Sequence, residues 1–549
     1  MSLRARPYED VWGPRRARII AGVLGVLFTV VVGRAGYVAF NGPEQSAQAA
    51  TASVERRADI VDRKGELLAT SLAAWSLAAD PRAIWDAGEV AQDIAKVLPG
   101  INVKDLTTRL SDRERQFVWI QRGLTPRQKQ AVFDLGLEGL RFEEETRRVY
   151  PRGPLAGHFL GFTNVDGKGV EGAEAAFDAR LKRGGEPVRL TLDANVQFAL
   201  EDELEKAFVD FDMKGGAGIV LDAQTGAIRA IASWPQIDPN RPGDRTELAK
   251  PNRAINYLFE LGSIYKPLTV AAAMEAGVLR TTDTFDVSEP LKIGAAMVRD
   301  PHKLENAKMA TAADILAFSS NIGAVEIARR LGSEKQKAFL GQVGLLDRPT
   351  YDGPQAAAPL TPSEWDELTS ATVSYGHGLA VSPLAFAMTY APFANGGNYL
   401  SPVFLEPVDP AKIEKRQVMS ASTARAVTDM MRQTVLVGTG MNAEAPGYEV
   451  AGKTGTAEKP GPDGYDPDRN ITSFAAVFPA SRPQFVVLVV LDEAEPRTGD
   501  ARTAAYTAAS IAGRVIARAA PLLDVKPVLD TSTAETPPSL RVTSDERTL

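Results

Sequence analysis

The feature of this sequence that most restricts its folding is the run Ile19–Phe40, 22 residues with a single charged member, Arg34. A stretch this long and apolar cannot be dispersed over the surface of a water-soluble domain, and about 20 apolar residues in a helix span the hydrocarbon core of a bilayer. Arg34 lies near one end, where its stem can lie along lipid while its head reaches the interface beside Tyr37. Arg4, Arg6, Arg15, Arg16 and Arg18 precede the run, and no basic residue follows Phe40 until Arg56. That asymmetry places residues 1–18 in the cytoplasm as a tail and residues 19–40 as a transmembrane helix, with the rest of the chain outside. Ala47-Gln48-Ala49 has the small-residue pattern of a signal-peptide cleavage site. It lies too far beyond the run, and the run is too long, for a cleaved leader to be preferred over a retained anchor.

The totals exclude several chemistries. At 549 residues there is room for two or three folded domains, and a net charge of −7 gives no support to a nucleic-acid role. Cysteine is absent, which removes disulfides, thiolate metal sites and cysteine nucleophiles. Only His158, His302 and His377 are available as histidines, and no Gly-x-Ser-x-Gly elbow accompanies them, so a Ser-His-Asp hydrolase is poorly supplied. Metal catalysis is similarly poorly supplied.

Ser263 is the one serine followed by a lysine three residues later, in Gly262-Ser263-Ile264-Tyr265-Lys266-Pro267. On a helix this spacing puts both side chains on one face. A serine hydroxyl becomes a nucleophile when a neighbouring base takes its proton, and a lysine made neutral by burial or by a second cation is such a base. Alone the pair could equally be a helix-start serine with a solvated lysine. Ser319-Ser320-Asn321 alone could be a helix cap, and Lys453-Thr454-Gly455-Thr456 a surface turn. The three follow one another in order, each beside an apolar stretch with its own helix or strand pattern.

Ser-x-x-Lys, Ser-x-Asn and Lys-Thr-Gly in that order resemble the signature of the penicillin-recognising serine acyl-transferases. Two further stretches narrow the resemblance. Arg57-Ala58-Asp59-Ile60-Val61-Asp62-Arg63-Lys64-Gly65 is similar to the segment that opens the non-catalytic domain of class B penicillin-binding proteins, with Ala58 in place of a glycine. Its charges suit an ion-pair network between segments. Gly161-Phe162-Thr163-Asn164-Val165-Asp166 and Val170-Glu171-Gly172 resemble the junction between pedestal and catalytic domain in the FtsI-type, division-specific members. Glu171 and Glu174 there read as packing and capping residues, and His158 as a structural hydrogen-bonder. Tyr375-Gly376-His377-Gly378 with Ser382-Pro383 also fits the family pattern as structural support, whereas Leu261 departs from the usual proline.

The resemblance implies an α+β fold: a single N-terminal transmembrane helix, a mixed α/β pedestal over 41–190, a transpeptidase domain over 191–525 built on an antiparallel sheet flanked by helices, and a disordered tail over 526–549. It implies peptidoglycan D,D-transpeptidation through a serine acyl-enzyme, with β-lactams as covalent inhibitors and no metal or organic cofactor. Ser263 is then the nucleophile, Lys266 its base, and Ser319 a proton relay. Asn321, Lys453, Thr454, Gly455 and Thr456 hold the substrate, with the backbone N–H groups of Ser263 and Thr456 as oxyanion hole. The implied partners are peptidoglycan stem peptides, an FtsW-type glycan polymerase and other divisome membrane proteins, at the inner membrane and the division septum. An elongation-specific class B enzyme, a β-lactamase and a β-lactam sensor share one or more of the motifs and stay open at this point.

Overall fold

The computed structural model describes residues 14–41, 56–294, 296–301, 308–461, 464–495 and 503–528. The first 13 residues of the expected cytoplasmic tail, the connector after Asn41, His302 and the expected disordered tail beyond residue 528 lie outside them. Pro14–Asn41 is one helix of 28 residues that takes in the whole apolar run. Val23, Leu24, Leu27, Phe28, Val30 and Val31 are exposed along it. Within the run the described side chains are Ile19 and Gly22–Arg34, and among the described residues no helix is long and apolar enough to cross a membrane.

The chain divides into two compact units, one of Met1–Arg56 and Trp75–Thr146, the other of Arg57–Ala74 and Arg147–Leu549. The first unit contains three helices whose starts are written in the sequence. Asp86 caps Ala87–Val97 by accepting from the Gly88 and Glu89 N–H groups, and Asn102 caps Val103–Ser111. Thr125 forms a capping box with Gln128 ahead of Pro126–Phe133, with proline at the first helical position where no N–H is needed. Their apolar faces bury Val90, Ile94, Leu106, Leu110 and Val132 against Leu77 and the strand Val118–Leu124.

The second unit is organised by a five-stranded antiparallel sheet. Its strands are β1 (Gly215–Asp222), β2 (Ile228–Trp234), β3 (Ala451–Gly461), β4 (Gly464–Phe478) and β5 (Phe485–Asp492), in the order β3-β4-β5-β1-β2. Five helices matter here: α1 (Ala194–Phe211), α2 (Lys266–Glu275), α3 (Asn321–Leu331), α4 (Ala421–Val437) and α5 (Ala508–Leu522). One face of the sheet packs Val487 and Val489 against Val196, Leu200 and Leu204 of α1 and Ile511 and Val515 of α5. The other packs Val486, Leu488 and Val490 in the core that holds Leu268 of α2, Val325 of α3 and Met431 of α4. Every residue of β5 is buried, which is why it reads as an unbroken apolar run and not as an alternation. β3, carrying Lys453–Thr456, is an edge strand with one side paired to β4.

The expected ion-pair network forms with different members. Glu174, fully buried, accepts from Arg57 Nε and Arg148 Nε, both at 2.6 Å, and Arg57 also donates to Asp178 at 2.7 Å. Asp62 is not part of it. Its carboxylate accepts from the backbone N–H groups of Lys64, Glu66 and Ala194, so it shapes the turn at Gly65. Glu171 pairs with Arg245 at 2.8 Å and makes no side-chain cap, while His158 donates from Nε2 to the Pro235 carbonyl at 2.8 Å. Removing Glu174 would leave the buried Arg148 guanidinium without its carboxylate and Arg57 with Asp178 alone, and breaking a buried ion pair from one side costs about 3–5 kcal/mol. Glu174→Ala should therefore lower the unfolding free energy of the second unit by about that amount. A urea titration within about 1 kcal/mol of the parent protein would contradict this role.

Candidate active site

The Ser263 turn, the Ser319–Asn321 turn, β3 and the Tyr375–Gly378 loop meet around a cleft of about 360 Å³. Ser263, Ser319, Asn321, Thr454 and Thr456 line it, together with Tyr375, His377, Thr439 and Glu458. Lys266 and Lys453 are fully buried, with their amines on Ser319. All eight residues singled out from the sequence are thus in one place, drawn from segments almost two hundred residues apart.

Local geometry explains each position. Ser263 sits in the 3₁₀ turn Gly262–Tyr265 that runs straight into α2, a tighter start than the single helix the spacing predicts. Gly262 has φ +60°, and a Cβ there would stand 2.5 Å from the Thr456 carbonyl oxygen. Gly376 has φ +92°, and its Cβ would lie 2.0 Å from the Gly262 carbonyl oxygen. Two glycines thus let the serine turn press between β3 and the Tyr375–Gly378 loop. Leu261 is buried where the family usually has proline, and its carbonyl accepts from Ser473 Oγ at 2.9 Å. Ser319 ends the short helix–loop before α3 with φ +63°, a left-handed conformation that is uncommon for a residue with a side chain. Ser320 caps α3 by accepting from the Gly323 N–H.

The lysines define the electrostatics. Lys266 Nζ donates to the Ser319 carbonyl at 2.5 Å, to Asn321 Oδ1 at 2.8 Å and to Ser319 Oγ at 3.2 Å. Lys453 Nζ donates to the same Ser319 Oγ at 2.9 Å. Burial pulls Lys266 down from the ordinary lysine range to about 7, opposed by the negative charge of Asp300. Burial, followed by the charge of Lys266, pushes Lys453 well below that range. The Ser263 hydroxyl makes no hydrogen bond to Lys266 or to any other described residue, so the direct contact expected from the i,i+3 spacing is not formed. The Lys266 amine is engaged by Ser319 and Asn321 instead.

Sequence reading missed several residues here. Asp300 accepts from Ser320 Oγ at 2.7 Å and from the Ile322 N–H at 2.9 Å, pinning the Ser319–Asn321 turn from outside. Thr439 shares a hydrogen bond with Thr454 Oγ1 at 2.7 Å. His377 stacks on Tyr465 with ring centroids 5.2 Å apart, and the Tyr465 hydroxyl donates to Glu260 at 2.8 Å. Burial lowers His377 to about 4, so it is neutral at pH 7. Asp300, Thr439 and Tyr465 sit in no recognisable motif and work through long-range contacts that no local pattern announces, whereas His377 lies in the Tyr375–Gly378 stretch that the sequence marked only as structural support. Among the described residues, no group of histidine, aspartate and glutamate side chains is arranged to hold a metal ion.

Comparison with known proteins decides the family. Residues 216–516, more than half the chain, match the penicillin-binding protein transpeptidase domain, and residues 53–185 match the penicillin-binding protein dimerisation domain. Over 541 residues the chain is 39% identical to the probable peptidoglycan D,D-transpeptidase FtsI of Caulobacter vibrioides, covering 95% of this chain and 90% of that one. It belongs to the FtsI-type class B penicillin-binding proteins. The peptidoglycan D,D-transpeptidase FtsI of Escherichia coli K12 is 31% identical over 477 residues, 81% of this chain and 80% of its own. The crystal structure of penicillin-binding protein 3 from Mycobacterium tuberculosis with aztreonam superposes with a TM-score of 0.66 at 25% identity, covering 86% of this chain and 97% of that one. Within this family the α+β fold, with its sheet-and-helix transpeptidase domain and its dimerisation domain, is the one expected from the sequence.

The close approach at Gly376 yields a direct test. Alanine there meets both an unfavourable φ and the Gly262 carbonyl, so the Ser263 turn must move. Gly376→Ala should slow covalent labelling by a fluorescent penicillin by about tenfold or more, the scale expected of small misplacements in a catalytic site. Unchanged labelling kinetics would mean that the turn tolerates the shift.

Proposed function

We propose that this protein cross-links peptidoglycan stem peptides as a D,D-transpeptidase, with Ser263 as the acylated residue. The observation that carries the assignment of roles is the junction of Lys266, Ser319 and Lys453, where two buried amines meet one hydroxyl beside a half-buried serine. A neutral Lys266 takes the Ser263 proton as Oγ attacks the carbonyl carbon of the penultimate residue. The developing oxyanion is held by the backbone N–H groups of Ser263 and Thr456. The C–N bond to the terminal residue breaks, and that amine leaves with the proton relayed through Ser319. An amine of a neighbouring stem peptide then attacks the ester, the C–O bond to Ser263 breaks and the serine regains its proton. Catalytic hydrogen bonds in unliganded enzymes are often long and tighten with substrate, so the open Ser263–Lys266 distance is compatible with this order of events.

Lys453 and Thr454 hold the terminal carboxylate of the substrate and Asn321 its amide, whereas Gly455, expected to hold substrate, instead makes room for the serine turn, because a Cβ there would stand 2.3 Å from the Leu261 carbonyl oxygen and 2.5 Å from Ser473 Oγ. β-Lactams acylate the same serine. The expected result is that Ser263→Ala abolishes covalent β-lactam labelling in a folded, membrane-associated protein. Labelling that persists would move the nucleophile elsewhere.

The base has its own signature. A lysine with a folded pKa of about 7 is neutral above that value and protonated below it. Acylation should therefore rise with pH through about 7 and fall away under acid conditions. Lys266→Arg keeps the charge but cannot deprotonate, and should cost about 10²–10⁴-fold, the usual contribution of general base catalysis. An arginine variant acylating at the normal rate would reduce Lys266 to an electrostatic or packing role.

The anchor and the cellular role extend the same reading. The helix Pro14–Asn41 is about 42 Å long at 1.5 Å per residue against a bilayer core of about 30 Å, and the apolar run Ile19–Phe40 that supports the anchor includes side chains outside the described ones. It acts as a single-pass inner-membrane anchor, with residues 41–549 in the periplasm, and presents a docking surface to an FtsW-type glycan polymerase and other divisome proteins. The domain limits follow those of the sequence reading: pedestal over 41–190, transpeptidase over 191–525. Septal synthesis is the assigned role, supported by the FtsI names of its relatives. Depletion should block septation and give filaments. Cells that round up would point to the elongation machinery and leave the transpeptidase reading standing.

A further inference from the structure

The cleft is lined chiefly by hydroxyl, amide and aromatic side chains, and Glu458 is the one carboxylate among its described lining residues. Glu458 is exposed and makes no hydrogen bond or ion pair with any described residue. Lys459, its neighbour, pairs with Asp492 and Glu493, both at 2.7 Å. Glu260 accepts from Tyr465. A carboxylate at the end of a catalytic cleft, with no side-chain partner among the described residues, is a feature that the acylation chemistry itself does not use.

Register tells which part of a substrate it faces. Side chains two apart in a strand share a face, so Thr454, Thr456 and Glu458 all point into the cleft, each about 7 Å from the next. The proposed reading puts the terminal carboxylate of the peptide at Lys453 and Thr454. The Ser263 turn abuts Thr456, since the Gly262 Cβ position lies 2.5 Å from the Thr456 carbonyl oxygen. The acylated carbonyl therefore belongs beside Thr456. One further step along the same face, away from the carboxylate end, is Glu458. An extended peptide rises about 3.3 Å per residue, so the side chain of the residue preceding the acylated one falls within reach of Glu458.

The reaction supplies a group of the right charge. Cross-linking consumes an amine of a neighbouring stem peptide, so each stem peptide that can serve as acceptor carries a free amine, protonated at neutral pH. We propose that Glu458 is a specificity-determining residue that recognises an ammonium group on the stem peptide. The ammonium can come from two sources: the donor peptide's own side chain, just upstream of the acylated residue, or the incoming acceptor. The donor assignment is favoured by the strand register. This inference rests on Ser263 as the acylated residue. Mapping the acyl group of the donor-treated wild type to Ser263 by peptide mass spectrometry tests that point separately, and only the comparisons with the Glu458 variant bear on the new assignment.

The test uses the full-length detergent-solubilised protein and two synthetic thioester donors, one with a free amine on the residue before the acylating one, the other with that amine acetylated. For the wild type, kcat/KM should be higher for the free-amine donor. In Glu458→Gln the ratio of the two values should fall by about three- to fivefold, the scale of one solvent-exposed charge pair. The wild-type preference should also shrink as salt is raised, because an exposed pair is screened. If the donor ratio is unmoved while the partition of the acyl-enzyme between aminolysis and hydrolysis shifts toward hydrolysis, the ammonium recognised is the acceptor's. If neither the donor ratio nor the partition changes in Glu458→Gln, the proposal is wrong. Glu458→Asp should keep part of the preference, which a purely structural role would not require.

Discussion

Two lysine amines on one serine hydroxyl form the constraint that the rest of the catalytic unit serves. Lys266 and Lys453 are fully buried and both donate to Ser319 Oγ. Two ammonium ions cannot share so dry a space, because each lacks water and each raises the energy of the other. At least one is neutral near pH 7, and a neutral amine is what a serine nucleophile needs. In the proposed mechanism the site obtains its base from burial and like-charge proximity, with no histidine among its described hydrogen-bonded members. Asp300 sets a limit on the effect: its charge supports the protonated form of Lys266, while its hydrogen bonds hold the turn that carries Ser319.

The architecture can be traced back from that junction. Lys266 stays dry because α2 is apolar over Leu268–Ala273 and lies in the core on one face of the sheet. Lys453 stays dry because β3 holds it in register opposite Ala475 of β4, a small residue in a fully buried stretch. Ser319 reaches both amines only in its left-handed conformation. Capping by Ser320 and the two Asp300 contacts offset that local strain. Away from the lysine junction, the Arg57–Glu174–Arg148 cluster follows a related rule: buried charges survive beside opposite charges and backbone carbonyls, although Arg148 Nη2 has no hydrogen-bond partner among the described residues.

Much of the fold could be read from local pattern. The helix starts of the first unit lie in local caps at Asp86, Asn102 and Thr125. The start of α2 departs slightly from the expected single helix, opening as the 3₁₀ turn Gly262–Tyr265. Larger departures involved long-range partners. Asp62 looked like a member of an ion-pair network because it lies among arginines, yet it hydrogen-bonds backbone N–H groups, one of them from Ala194. Glu174 joined the network because the fold brings Arg57 and Arg148 to it.

By itself the sequence determined which chemistry is possible. Without cysteine, and with three histidines and one Ser-x-x-Lys followed by Ser-x-Asn and Lys-Thr-Gly, the nucleophile, the base and their accompanying groups were named from residue types and order. Tertiary structure alone decided how those groups are wired. The spacing of Ser263 and Lys266 suggested a direct hydrogen bond, but the Lys266 amine is taken by Ser319 and Asn321, more than fifty residues away in the chain. The contacts of Asp300 and Thr439 and the place of the Glu458 carboxylate in the cleft were likewise decided there. Helical and strand periodicities are local and appear in the sequence, whereas burial, charge coupling and hydrogen-bond partnership depend on neighbours that only the folded chain brings together.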